Sequence, residues 1–182
     1  MIIFFAGLPG VGKSSLAEAI SKRFNIPYYP VDAKKIELYP ALDPQYQYKI
    51  DNDISFAVGV KRKFFTAVAK DLERRASITR DIIVDDVLHR ESWRKILFDC
   101  ARTHFDGFIV FWVKTGEEIV KERLLSAVRK QHLLKDPWRM HLSYKNRFQD
   151  FSDQVIVFEN NDHLDISVEK LAALITKGLS AA

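Results

Sequence analysis

Residues Gly7 to Ser14 read G-L-P-G-V-G-K-S, which fits G-x-x-x-x-G-K-[ST] at every fixed position. Each residue type has a task at that spacing. Gly7, Gly10 and Gly12 keep side chains out of the way where a backbone curls its N–H groups around an anion, and Leu8, Pro9 and Val11 complete the loop. Lys13 can reach β- and γ-phosphates, the Ser14 hydroxyl is a hard oxygen ligand of the kind Mg²⁺ takes, and Ser15 follows in the same turn. The chemistry this points to is the holding of a nucleoside triphosphate by its phosphates.

Such a loop needs a strand before it and a helix after it. Ile2-Ile3-Phe4-Phe5-Ala6 is an apolar run suited to a buried parallel strand. Ser15 to Phe24 reads as a helix with Leu16, Ala19 and Ile20 on one face, its positive end aimed at the anion. The alternation then continues to the end of the chain. Strands are expected at Pro27–Val31, Asp81–Asp86, Gly107–Val113 and Gln154–Phe158. Helices are expected at Asp53–Arg75, Glu91–His104, Gly116–Val128 and Ile166–Leu179. In the longest helix Phe56, Val60, Phe64, Val68 and Leu72 recur every four residues. The stretch from Leu38 to Tyr48, rich in Tyr and Pro, is expected to be irregular and close to a substrate.

Strand and helix in alternation predict an α/β fold: a five-stranded parallel sheet flanked by helices on both faces, in one domain over residues 1–182. Sites in such sheets gather at the carboxyl ends of the strands, which puts Asp32, Asp85 and Asp86 on the rim that carries the phosphate loop. Asp32 at that place is either a base for an attacking hydroxyl or the cap of a helix that starts at Ala33. Asp85 and Asp86 end an apolar strand. Alternation turns them to opposite sides, so one would serve a metal and the other would cap or bind substrate; Asp85 is the preferred metal ligand, with Ser14.

Composition narrows the function classes. The chain has 182 residues with 28 Lys and Arg against 24 Asp and Glu, a mild net charge of +4. That suits a polyanionic nucleotide and argues a small-molecule partner rather than nucleic acid; the basic run Lys61-Arg62-Lys63 is expected to be a solvated helix face. Cys100 is the single cysteine, which excludes an internal disulfide and fits a reducing, cytoplasmic setting. No apolar run approaches the length of a membrane span, and the N-terminus runs into the first strand with no signal-peptide pattern. The five histidines show no metal spacing, and no N-K-x-D guanine motif is present.

The phosphate loop, an Asp after strand two, Ile82-Ile83-Val84-Asp85-Asp86 and an Arg-bearing helix after strand four together resemble the small P-loop kinases of the nucleoside-monophosphate-kinase-like group. Within it, I-I-V-D-D-V-L, then W-R-K-I-L, then F-W-V-K-T-G-E-E-I-V-K-E-R look most like chloramphenicol phosphotransferase and its relatives. Zeta-toxin kinases and the kinase half of polynucleotide kinases share the skeleton. The resemblance implies a P-loop NTPase fold, ATP and Mg²⁺ as cofactors, and transfer of the γ-phosphate to a hydroxyl of a small molecule. The alternatives are a polynucleotide or nucleotide-sugar kinase of toxin type and an ATP-binding switch without turnover. It also implies that Asp32 faces the acceptor hydroxyl. It adds a small helical lid over residues 129–147, and Arg123 and Arg129 act with Lys13 on the transferring phosphoryl group.

Overall fold

A run of five residues buried on both faces, Ile2 to Ala6, lies at the centre of the protein. The computed structural model describes residues 1–38, 54–128 and 136–179. In chain order its elements are β1 (Ile2–Ala6), α1 (Lys13–Phe24), β2 (Tyr28–Pro30), α2 (Val31–Leu38), α3 (Ile54–Ala76), β3 (Ile82–Asp86), α4 (Glu91–His104), β4 (Phe108–Lys114), α5 (Glu117–Val128), α6 (Pro137–Lys145), β5 (Ile156–Glu159) and α7 (Leu164–Leu179). The five strands form one parallel sheet in the order β2-β3-β1-β4-β5. In β1, Ile2 stands opposite Ile82 on one side and Phe108 on the other.

The period of two along each strand divides the core into two layers. Ile2, Phe4, Ala6, Ile82 and Val84 pack with Phe64, Val68, Leu72, Trp93, Leu97 and Phe98, the buried stripes of α3 and α4. Ile3, Phe5, Ile83 and Phe111 pack with Leu16, Ile20, Val120, Leu171 and Ile175, from α1, α5 and α7. Rings interlock in the first layer: Phe98 stacks on Phe108 at 4.3 Å and Phe65 on Trp93 at 5.8 Å between centroids. From β1 the chain turns towards β2, and from its neighbour β4 it turns the other way, to β5. The crevice above that reversal is where ligands bind in open parallel sheets, and residues 7–12 lie there.

The differences from expectation fall at element ends. β5 starts at Ile156 and not at Gln154. It is an edge strand whose Ile156 and Val157 are exposed, so only one side of it is held by pairing, beginning with Phe111 opposite Ile156. α2 begins at Val31, so Asp32 sits inside the first turn and not at a cap before Ala33. Residues 39–48 of the segment expected to be irregular lie outside the described residues. Among the described residues no helix is long and apolar enough to cross a membrane.

Candidate active site

One carbonyl of the phosphate loop gathers three donors from outside it. Val11 O accepts from Asn160 Nδ2 at 2.7 Å, Thr115 Oγ1 at 3.0 Å and Arg123 Nη1 at 3.3 Å. A trans peptide points its C=O and the next N–H in opposite directions. The Gly12 N–H is therefore turned away from those three donors. Gly12 itself has φ 86° and begins α1 with no side-chain cap; a Cβ there would lie 2.5 Å from Asn160 Nδ2. Gly7 has φ 152°, and its Cβ would meet Val113 O at 2.5 Å, a backbone atom that cannot yield. Lys13 opens α1 and is buried, 9 % exposed.

On the α1 side of the sheet, Ser14 Oγ donates to Asp85 Oδ2, and Tyr28 Oη donates to Asp85 Oδ1 at 2.8 Å. Asp85 is 6 % exposed, and two hydroxyl donors satisfy its two oxygens. Burial, and then the Asp85 charge, push the Tyr28 phenol well above its ordinary pKa, so it remains a donor. A hydroxyl and a carboxylate beside a phosphate loop are a hard-oxygen donor set, which suits Mg²⁺ completed by phosphate oxygens and water. Among the described residues no three His, Cys, Asp or Glu side chains converge into an all-protein cage.

The next residue faces the other layer. Asp86 is partly buried and accepts from Leu88 N at 2.9 Å. Burial raises its pKa and the negative charge of Asp32 adds to that, against the pull of its Leu88 bond, Lys13 and Lys61. The charges of Lys13 and Asp32 thus both act on the Asp86 carboxyl. His89, 8 % exposed, is set edge-on to the Tyr144 ring at 4.8 Å, and the charges of Asp86 and Asp32 act on the Tyr144 phenol. Burial first, then the positive charges of Lys61, Arg147, Arg90 and Arg94, push His89 down to about 4, so it is neutral at pH 7. Arg147 lies over Tyr144 at 5.5 Å and is held by Ser143.

On the opposite flank of the loop, a cavity of about 630 Å³ is lined by Gly12, Ser15, Arg123, Asn160, Asn161 and His163, among others. Arg123 sits there on α5, with Nη2 on Asn160 O at 3.3 Å besides its bond to Val11 O. Buried Asn160 keeps one atom, Oδ1, without a partner among the described residues. Arg129, the other arginine expected to act on the phosphoryl group, lies outside the described residues, as do 130–135. From 136 on, the expected lid range contains α6. Its N-cap Asp136 accepts from Arg139 N at 2.9 Å, with Pro137 in the first turn. His141 of this helix is 3 % exposed, stacks on Trp138, and has Nδ1 2.7 Å from Pro9 O, tying α6 to the phosphate loop.

A family model described as chloramphenicol phosphotransferase-like protein matches residues 1–142. The chain belongs to this family. No curated protein matches it. Its fold recurs in solved kinases. An unliganded sugar kinase from Janibacter sp. HTCC2649 is 14 % identical with a TM-score of 0.70, over 96 % of this chain and 94 % of that one. A gluconokinase from Sinorhizobium meliloti 1021 is 19 % identical with a TM-score of 0.67, over 99 % and 96 %. The APS kinase of Mycobacterium tuberculosis, in complex with AMPPNP and APS, is 13 % identical with a TM-score of 0.60, over 96 % of both chains. Family and fold together are those of a P-loop phosphotransferase.

Several site residues escaped the sequence analysis. Tyr28, given no role in the sequence beyond its strand, lies on the α1 side with its hydroxyl on Asp85, while its neighbour Tyr29 is core with its hydroxyl 3.2 Å from Asp71. Thr115 fell within a stretch that carries the resemblance but had no role there, and His141 belonged to no motif. The Asp-Pro pair at 136–137 is a helix-start signal that could have located α6, and with it His141.

Proposed function

We propose that this protein transfers the γ-phosphate of Mg·ATP to a hydroxyl of a small-molecule acceptor. What supports it is the phosphate loop with its buried Lys13, the Ser14–Asp85 hydrogen bond on one face of the sheet, and Asp86 on the other, whose carboxyl feels the charges of Asp32 and Lys13. Ser14 and Asp85 suit a metal, Asp32 and Asp86 a hydroxyl, and the loop phosphates. Ser14 and Asp85 would hold Mg²⁺, which when bound neutralises charge on the β- and γ-phosphates. The residues 7–15 would wrap the phosphates, and Lys13 would follow the γ-phosphate oxygens. Asp32 would accept the proton of the attacking hydroxyl. Asp86, raised above the usual carboxylate range, would hold a neighbouring group of the acceptor by hydrogen bond. The cavity beside Arg123 and Asn160 would take the base, so Arg123 serves the nucleotide's base end, and the lid role passes to Arg129 and α6. The AMPPNP complex of the APS kinase supports ATP as the donor.

The test is transfer of labelled γ-phosphate from Mg·ATP into a fractionated metabolite extract. A labelled product is expected that disappears when EDTA removes the metal and that resists conditions cleaving acyl phosphates. No product with tight ATP binding would overturn the proposal.

Asn160→Ala is expected to weaken nucleotide binding by about tenfold, the equivalent of one hydrogen bond to a loop carbonyl. Calorimetric titration with a non-hydrolysable ATP analogue measures it. Unchanged affinity would show that Thr115 and Arg123 suffice to orient the Val11–Gly12 peptide.

A further inference from the structure

We propose that Tyr28 is a positioning residue for the metal: its phenol fixes the plane of the Asp85 carboxylate, so that Oδ2 alone is presented at the phosphate loop. The inference rests on the assignment of Ser14 and Asp85 to Mg²⁺. Tyr28 pairs with Ile83 in the β2–β3 register, and Asp85 stands two residues further along β3, on the same face. The phenol thus reaches Asp85 Oδ1 along the sheet, at 2.8 Å. Ser14 approaches the other oxygen from α1.

A carboxylate does not hold its own plane. The last torsion of Asp is broad and roughly two-fold, so an unheld Asp85 would sample rotated planes. With Oδ1 bound by Tyr28, rotation costs a hydrogen bond to a charged group. When Ser14 turns its oxygen to the metal, Asp85 loses that donor and keeps Tyr28. Among the described residues, the phenol is then the one side-chain hydrogen-bond partner that Asp85 keeps through metal binding. Partners of this kind, one step removed from the ion, change metal affinity by about 10- to 100-fold when removed. Tyr28 lies on the face opposite Asp86, so an acceptor contact does not account for it.

The experiment measures Mn²⁺ binding by electron paramagnetic resonance in the presence of ADP, for the wild type and Tyr28→Phe. ADP affinity in EDTA is measured beside it. The ring of Tyr28→Phe keeps the packing of β2 against α1. The expected result is Mn²⁺ held about 10- to 100-fold more weakly, with metal-free ADP affinity unchanged. Equal Mn²⁺ affinity in the two proteins would overturn the inference and leave the metal assignment standing. A matching loss of metal-free ADP affinity would also overturn it, because Tyr28 would then be supporting the loop as a whole. A wild type that binds ADP but no Mn²⁺ would remove the metal assignment itself. Asp85→Asn separates the levels further: it should lose Mn²⁺ binding whether or not Tyr28 matters.

Discussion

Asp32→Asn is expected to lower kcat for phosphoryl transfer by about a thousandfold while Mg·ATP affinity changes by less than about twofold. Asparagine keeps the size and first-turn position of Asp32 and removes its ability to take a proton. Asp32 is exposed, and its charge acts on Asp86, on the face of β3 opposite the Ser14–Asp85 pair. The nucleotide site should therefore be indifferent to the change. The competing role is local. An acidic residue in the first turn of α2 favours the helix by about 0.3–1 kcal/mol through the macrodipole. The two roles separate cleanly in one pair of measurements. If Asp32 only supports α2, Asp32→Asn melts slightly earlier and transfers phosphate at the wild-type rate. If it is the base, transfer falls by orders of magnitude at nearly constant melting temperature.

The loop, the sheet and both aspartates of β3 were legible because their signals are local. A strand run, a glycine pattern and a helical period sit within one stretch of chain, and alternation alone predicts that Asp85 and Asp86 part company. α4 has the bounds expected of it, from Glu91 to His104. What was not legible is pairing at a distance. Val11 O draws its three donors from residues 104, 112 and 149 positions away, and Tyr28 meets Asp85 across 57. No spacing rule encodes those meetings; they follow from the strand order and register once the sheet exists. Arg123 illustrates the difference. Its place on α5 was correct, but whether its guanidinium turns to the phosphate end or the base end depends on where α5 sits against the loops after β4 and β5. In the fold it turns to Val11 O and Asn160 O.

Arg94 had no role in the sequence beyond an interval in a similarity, yet its substitution carries the second large effect. Arg94→Ala is expected to destabilise the protein by about 3 kcal/mol, lowering the melting temperature by about 6–12 °C for a chain of this size. The side chain is 2 % exposed. Its Nη1 donates to Gln149 O at 2.7 Å, its Nη2 to Asp150 O at 2.8 Å, and its Cζ lies 4.2 Å from the centre of the Phe151 ring. Burial lowers the guanidinium pKa but leaves it charged. Truncation removes two charge-assisted bonds and strands two carbonyls. Lysine should recover little, since an ammonium is a point charge where the site offers a fork. The segment so anchored also bonds Gln149 N to His89 O and Gln149 Oε1 to Glu91 N, both at 2.8 Å, and packs Phe148 and Phe151 on Trp112. It carries Tyr144 and Arg147 on its N-terminal side, at the wall of the proposed acceptor space. The loss should therefore show twice: in thermal denaturation, and in an acceptor KM that rises more than the KM for ATP. A melting temperature within about 2 °C of wild type would mean that the 146–151 segment is held without Arg94, and that a buried charge sits in the core of this fold for some other reason.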